Sequence, residues 1–313
     1  MSPTMSPTVS PTVSPTGAAP RGTIHDVGYR SYDGPRLPPS RRAWAITRNV
    51  IAVAWRSRWG VKVPLAGAAL TVLGAAVVMI VSHRISKLIG GGGGGQLLPG
   101  EDFVVYHSLE VFSLWGFLLA LTVACSAVAN DLRLGAFSFY FSRPLRPIDY
   151  VRGKLCGLFV VIGLALFAGP VLLSLVRLFL VDSLADAAGL VPVVLRAALL
   201  GLLATAAHVL PAAGLGALLA RRIPAQAIYA IYFVVIGPVL RGATEATGET
   251  WPQLFSASAD LTAVAAWLFG VKPQSHSPPA PAALAALIVI SALGVLAVWL
   301  RVRNAETAGL ASS

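Results

Sequence analysis

Most residues in this chain whose types and spacing could do chemistry fall in one stretch, Asp131 to Lys154, which reads DLRLGAFSFYFSRPLRPIDYVRGK. Arg133, Arg143, Arg146, Arg152 and Lys154 stand there against Asp131 and Asp149, with Pro144 and Pro147 as punctuation and Gly135 and Gly153 near the two ends. A phosphate-binding loop would need G-x-x-x-x-G-K-[ST], with backbone amides to cradle phosphate and a hydroxyl to hold magnesium. Gly153-Lys154 is followed by Leu155 and has Ile148 at the first glycine position, while the run Gly90 to Gly95 is followed by Gln96. Any ATP chemistry must therefore come from another polypeptide.

Catalysis inside a membrane would need paired acids, a Ser/His pair or a His/acid metal set. His208 alone lies deep in an apolar run, three residues before Pro211. A hydrogen bond to a backbone carbonyl freed by the proline is its structural use, and a place on a substrate path its functional one. Gln226, Tyr229 and Tyr232 recur at spacings of three. On one helix face they would either line a dimer cavity or satisfy helix contacts. Cys125 and Cys156 lack C-x-x-C spacing, so neither a disulfide nor a metal site is expected.

The elements that must position these residues are set by composition. Hydrophobic residues make up 56% and charged residues 12% of the 313, and mean hydropathy is +0.74, which marks a multi-span membrane protein of the all-α class. The net charge of +11 is spread over segments flanking apolar runs rather than over one soluble domain, so it points to membrane topology and not to nucleic acid. Against the roughly 20 apolar residues a helix needs to cross a bilayer, six spans are expected: Val63 to Ser82, Val111 to Ala129, Leu155 to Val181, Val193 to Ala220, Ala225 to Leu240, which is short, and Ala282 to Leu300. Pro170, Pro211 and Pro238 fall in or near spans, where membrane helices accommodate kinks. The glycine run after the first span reads as a flexible external loop.

With both termini inside, the internal segments hold 18 of the 24 basic residues, and eight of the 13 acids fall outside. That is the distribution the positive-inside rule requires, and it puts Asp131 to Lys154 in the cytoplasm. Residues 1–40 open on the repeat MSPT MSPT VSPT VSPT and continue rich in proline, too weakly apolar to offset their ordering entropy, so a disordered tail is expected. From 41 to 62, Trp44, Ile51, Trp55 and Trp59 share a helical face among arginines, with Arg48 off pattern. Such a helix belongs in the headgroup plane, anchored to the bilayer by its tryptophans. Leu261 to Val271 is apolar but too short to cross, as re-entrant segments are. Residues 305–313 form a short tail.

An acidic residue ending the second span, a glycine four residues later, Ser-Arg-Pro-Leu-Arg-Pro, a tyrosine and a closing Gly-Lys resemble the cytoplasmic loop of type-2 ABC exporter permeases. The match rests on Asp131, Gly135, Ser142, Arg143, Pro144, Arg146, Tyr150, Gly153 and Lys154. Phe137, Phe139, Tyr140 and Phe141 make the stretch more aromatic than the family pattern, and suggest a surface built to touch something.

The resemblance implies a six-helix domain over 63–304 and a coupling loop over 131–154, with Phe139 among its docking residues. It also implies an interfacial connecting helix before the first span and a re-entrant hairpin between the fifth and sixth. Two copies of a separate ATPase subunit would dock on the loop and carry ATP and magnesium, leaving this chain without a cofactor. A second permease subunit, as a homodimer or a similar partner, would complete the pathway in a bacterial cytoplasmic membrane. ATP-driven closure of the ATPase pair would move the loop rigidly and tilt the second and third spans. A non-transporting, force-transmitting subunit is the alternative on the same fold. A secondary transporter would show repeated halves, which this sequence lacks.

Overall fold

The computed structural model describes residues 40–88, 101–141, 145–181, 183–273 and 275–311. The N-terminal repeat, the glycine run Gly90 to Gly95, and Ser142, Arg143 and Pro144 lie outside the described residues, as does the side chain of Phe139. The described residues form helices and no strand.

Helix α1 (Ser40–Arg56) stops at Ser57, whose hydroxyl accepts the Gly60 amide at 3.1 Å and caps a π turn, Arg58–Lys62, leading into α2 (Val63–Leu88). The expected single helix over 41–62 is therefore two pieces. Trp44 and Trp55 sit on α1 and Trp59 on the approach to α2, all three with exposed side chains. The cause is local: the serine satisfies an amide that the helix would otherwise have used.

Next, α3 (Glu101–Leu119) passes through a π turn, Ala120–Ala124, into α4 (Cys125–Arg133). Gly135, at φ 63°, ends that helix: the Leu134 and Gly135 amides bond back to Asn130 and Leu132, and a left-handed backbone there favours glycine. A short α5 (Ala136–Phe141) follows. α6 (Pro147–Leu166) begins with proline in its first turn, where no amide is needed.

α6 bends by 43° into α7 (Ala168–Leu178). Pro170 has no N–H to give Leu166, and Gly201 of α8 (Leu184–Leu219) lets that helix approach the bend: a Cβ on Gly201 would lie 2.7 Å from the Phe167 Cα. By contrast, α8 continues through Pro192 and Pro211.

α9 (Arg222–Ala230), a π turn (Ile231–Ile236) and α10 (Gly237–Thr247) form one long element, so the fifth apolar helix reaches well beyond Leu240. A 3-10 turn (Trp251–Phe255) precedes α11 (Ala257–Phe269), which is too short to cross a bilayer. The last helix, α12 (Ala280–Ala311), takes in most of the expected 305–313 tail. Among the described residues, five helices are long and apolar enough to span, and six if the bent α6–α7 pair is one span.

Close crossings use small residues. α8 and α12 meet at Gly214 and Gly294, where an added Cβ on Gly214 would lie 2.7 Å from the Gly294 Cα. Outside this core, Leu70, Leu73, Leu195 and Val239 are all at least 60% exposed. An apolar surface of that extent belongs in lipid rather than water.

Candidate functional site

The base of the loop is a latch between two helices. Asp131 lies in the last turn of α4, while Tyr150 and Lys154, four residues apart, share the face of α6 opposite it. The Tyr150 hydroxyl and the Lys154 ammonium both donate to Asp131 Oδ2, each at 2.6 Å. Tyr150 is fully buried, and the Lys154 and Asp131 side chains are only 8% and 16% exposed. Two charge-assisted bonds to one oxygen are short and strong, and compensate for taking the pair out of water.

The short α5 is pinned over this latch by aromatic contacts. The Phe137 ring lies 5.0 Å from Tyr150, and Tyr140 lies 5.4 Å from Tyr150. Burial, with the Asp131 carboxylate nearby, raises the Tyr140 phenol above its ordinary pKa. Phe137 and Tyr140 thus turn inward against their own chain, unlike the outward aromatic surface expected for this stretch.

Gly153 serves a different contact. It is buried against α1, where the Thr47 hydroxyl donates to the Gly153 carbonyl at 3.0 Å. A Cβ on Gly153 would strike the Ala43 carbonyl oxygen, and one on Gly157 would lie 2.6 Å from Val50. Two glycines four apart let α1 lie directly on α6.

Of the expected docking residues, Asp131, Tyr150, Gly153 and Lys154 are therefore internal braces. Gly135 shapes the turn, Arg146 is exposed, and Phe139 contributes its backbone to α5.

A second polar group lies in the apolar interior. His208, fully buried, has Nε2 3.0 Å from the Ser113 hydroxyl and Nδ1 2.9 Å from the Tyr229 hydroxyl. Its ring stacks on Phe233 at 4.6 Å, and Tyr229 stacks on Phe117 at 5.6 Å. The imidazole is therefore held by side chains of α3 and α9, and not by a carbonyl freed at Pro211. A serine and a tyrosine on neighbouring helices offer shorter, better-aimed partners.

Ser113 was invisible in the sequence, since it stands 95 residues from His208 with no motif joining them. Gln226 donates to the Leu121 carbonyl at 2.8 Å, inside a π turn whose widened spacing aims backbone groups at a neighbour. Tyr232, past the start of the next π turn, lines an apolar groove with Pro211, Gly214 and Gly294 instead of joining Gln226 and Tyr229. The described His, Cys, Asp and Glu residues form no group able to hold a metal.

Beside the latch lies a cleft of about 790 Å³ between α1, the π turn Arg58–Lys62, the π turn Ala120–Ala124, α4, α6 and α9. Asn49, Asn130 and Arg222 line it together with Asp131 and Lys154. Spacing could not have found it, because its walls come from six separate elements. No protein-family model matches this chain, and no curated protein does.

Proposed function

We propose that this chain is the membrane-spanning permease subunit of an ATP-driven exporter whose ATPase is a separate polypeptide, with the Asp131–Lys154 stretch as its cytoplasmic handle. The observation that supports this most is the latch. A loop that only joined two helices would need no buried ion pair at its base, whereas a loop that transmits displacement needs α4, α5 and α6 to move together. Asp131, Tyr150 and Lys154 make that connection, and Gly153 and Gly157 extend it to α1.

In this mechanism ATP closes two docked ATPase subunits, α5 is carried with them, and the second and third apolar helices tilt to open a path between this chain and a second permease copy. Two states of the helix bundle must differ in energy, with ATP as the biasing ligand. The exposed tryptophans Trp44, Trp55 and Trp59 set α1 and its junction with α2 at the bilayer surface, and α11 dips into the opposite side as a re-entrant segment. The setting is a bacterial cytoplasmic membrane with both termini in the cytoplasm.

Replacing Arg143 and Arg146 with glutamate is expected to abolish co-purification of the ATPase while membrane insertion persists. Unchanged co-purification removes the docking assignment. The latch equally suits a subunit that transmits force without moving cargo. Reconstituted complex in liposomes separates the two: ATP-dependent cargo movement identifies an exporter, and ATP turnover that alters a bound external protein without cargo identifies a transmitter.

A further inference from the structure

The cleft beside the latch has the chemistry of a binding site that neither the loop nor the polar interior uses. Three of its side chains carry donors that are not taken up: those of Asn49 on α1, Asn130 on α4 and Arg222 at the start of α9 make no hydrogen bond or ion pair to another described residue. They come from three separate helices and converge on one space of about 790 Å³. Asp131, the acid in the lining, is already neutralised by Lys154 at 2.6 Å, which leaves Arg222 as the uncompensated charge and gives the cleft a net positive sign. The hydroxyls of Ser57, Thr122 and Ser126 also line it but are bonded to backbone groups, and the rest of the wall is apolar. Val53, Trp59 and Leu134 are 55%, 83% and 72% exposed and form a greasy rim continuous with the polar floor.

We infer that this cleft binds the headgroup of an anionic phospholipid from the leaflet beside the basic loops, with the acyl chains lying over Val53 and Trp59. The guanidinium supplies paired donors to the phosphate, the two carboxamides bond its remaining oxygens and the glycerol, and the apolar rim distinguishes a lipid from a free anion. The site borders α1, α4 and α6 at once, so its occupant touches the two helices that the Asp131–Lys154 pair joins and the helix packed on α6. This inference needs only that the chain spans a membrane. It stands whether or not an ATPase docks on the loop.

The test uses the full-length chain, purified in detergent and mixed with vesicles of either phosphatidylglycerol or phosphatidylcholine, followed by re-isolation and quantitation of retained lipid. The wild-type chain retains phosphatidylglycerol selectively. Arg222→Ala combined with Asn130→Leu lowers that retention by about tenfold, as expected when donors to a charged group are lost.

Arg221→Ala removes the same charge one residue away, outside the cleft lining, and retains the lipid at wild-type level. Thermal midpoints of all variants, read in parallel, show that they remain folded. Equal loss in Arg221→Ala overturns the site in favour of general surface charge. Equal retention of the two lipids also overturns it, as does displacement of the lipid by inorganic phosphate alone, which would make the ligand a free anion.

Discussion

The latch makes a quantitative demand on Asp131 and Lys154. At 2.6 Å and an effective dielectric of about 20 their attraction is roughly 6 kcal/mol, and desolvating two mostly buried charges cancels a large part of it, leaving a coupling of about 2–3 kcal/mol. Asp131→Asn keeps an acceptor for Tyr150 but strands the Lys154 ammonium. Lys154→Met strands the carboxylate.

Each single change should raise the local opening constant at the start of α6 by roughly 30- to 150-fold, the equivalent of that energy. The double variant removes both charges, leaves Tyr150 an acceptor, and should return most of the way to wild type. Hydrogen exchange of the Val151 to Lys154 amides reads this opening directly, because exchange through local fluctuations scales with the opening equilibrium. Effects that simply add in the double variant would refute the latch as a coupled unit and reduce it to two unrelated contacts.

The other predictions concern the surroundings of that unit. Gly153→Leu should push α1 off α6 at an overpacking cost of about 1–3 kcal/mol, seen as faster exchange across Ile46 to Val50 with α12 unaffected. Tyr229→Phe leaves the His208 Nδ1 without its partner and should cost about 1–3 kcal/mol, read as a fall in the thermal midpoint, while the membrane-inserted fraction stays constant.

Asp260, buried in α11 with Oδ1 unbonded to any described residue, has its pKa pushed by burial from 3.8 to about 8. Between those values the native state keeps a proton that the unfolded chain has released, so stability should fall as pH rises through that window. Asp260→Asn should flatten the dependence, as thermal midpoints across that range would show.

The parts legible in the sequence were those that depend on local pattern. Apolar run length located the helices that are long and apolar enough to cross a membrane, since run length is read along the chain and needs no knowledge of neighbours. Glycine at 135 and proline at 147 marked the end of one helix and the start of another for backbone reasons that need no tertiary information. What the sequence concealed depends on helices meeting.

Asp131, Tyr150 and Lys154 stood out as charged and polar residues of a loop, but nothing in their spacing said that they would face one another instead of a partner. Gly153, expected among the docking residues of the loop, is a contact surface for α1. His208 looked solitary because Ser113 and Tyr229 come from other helices. The break at Ser57 was hidden by a tryptophan stripe that continues the right periodicity across it, since periodicity cannot register a serine capping a following turn. The fifth helix outruns its apolar stretch because its C-terminal end, with Arg241 and Glu245, is polar on the surface while remaining helical.

The central claim is that the basic loop faces the cell interior on a firm base. In a chain with Cys125→Ala and Cys156→Ser, Arg146→Cys places a lone thiol at an exposed position beside α6. A membrane-impermeant maleimide should label it in inside-out vesicles and leave it unmodified in intact cells. Labelling from the outside of intact cells would contradict the topology, and with it the assignment of this loop as the handle for an internal ATPase.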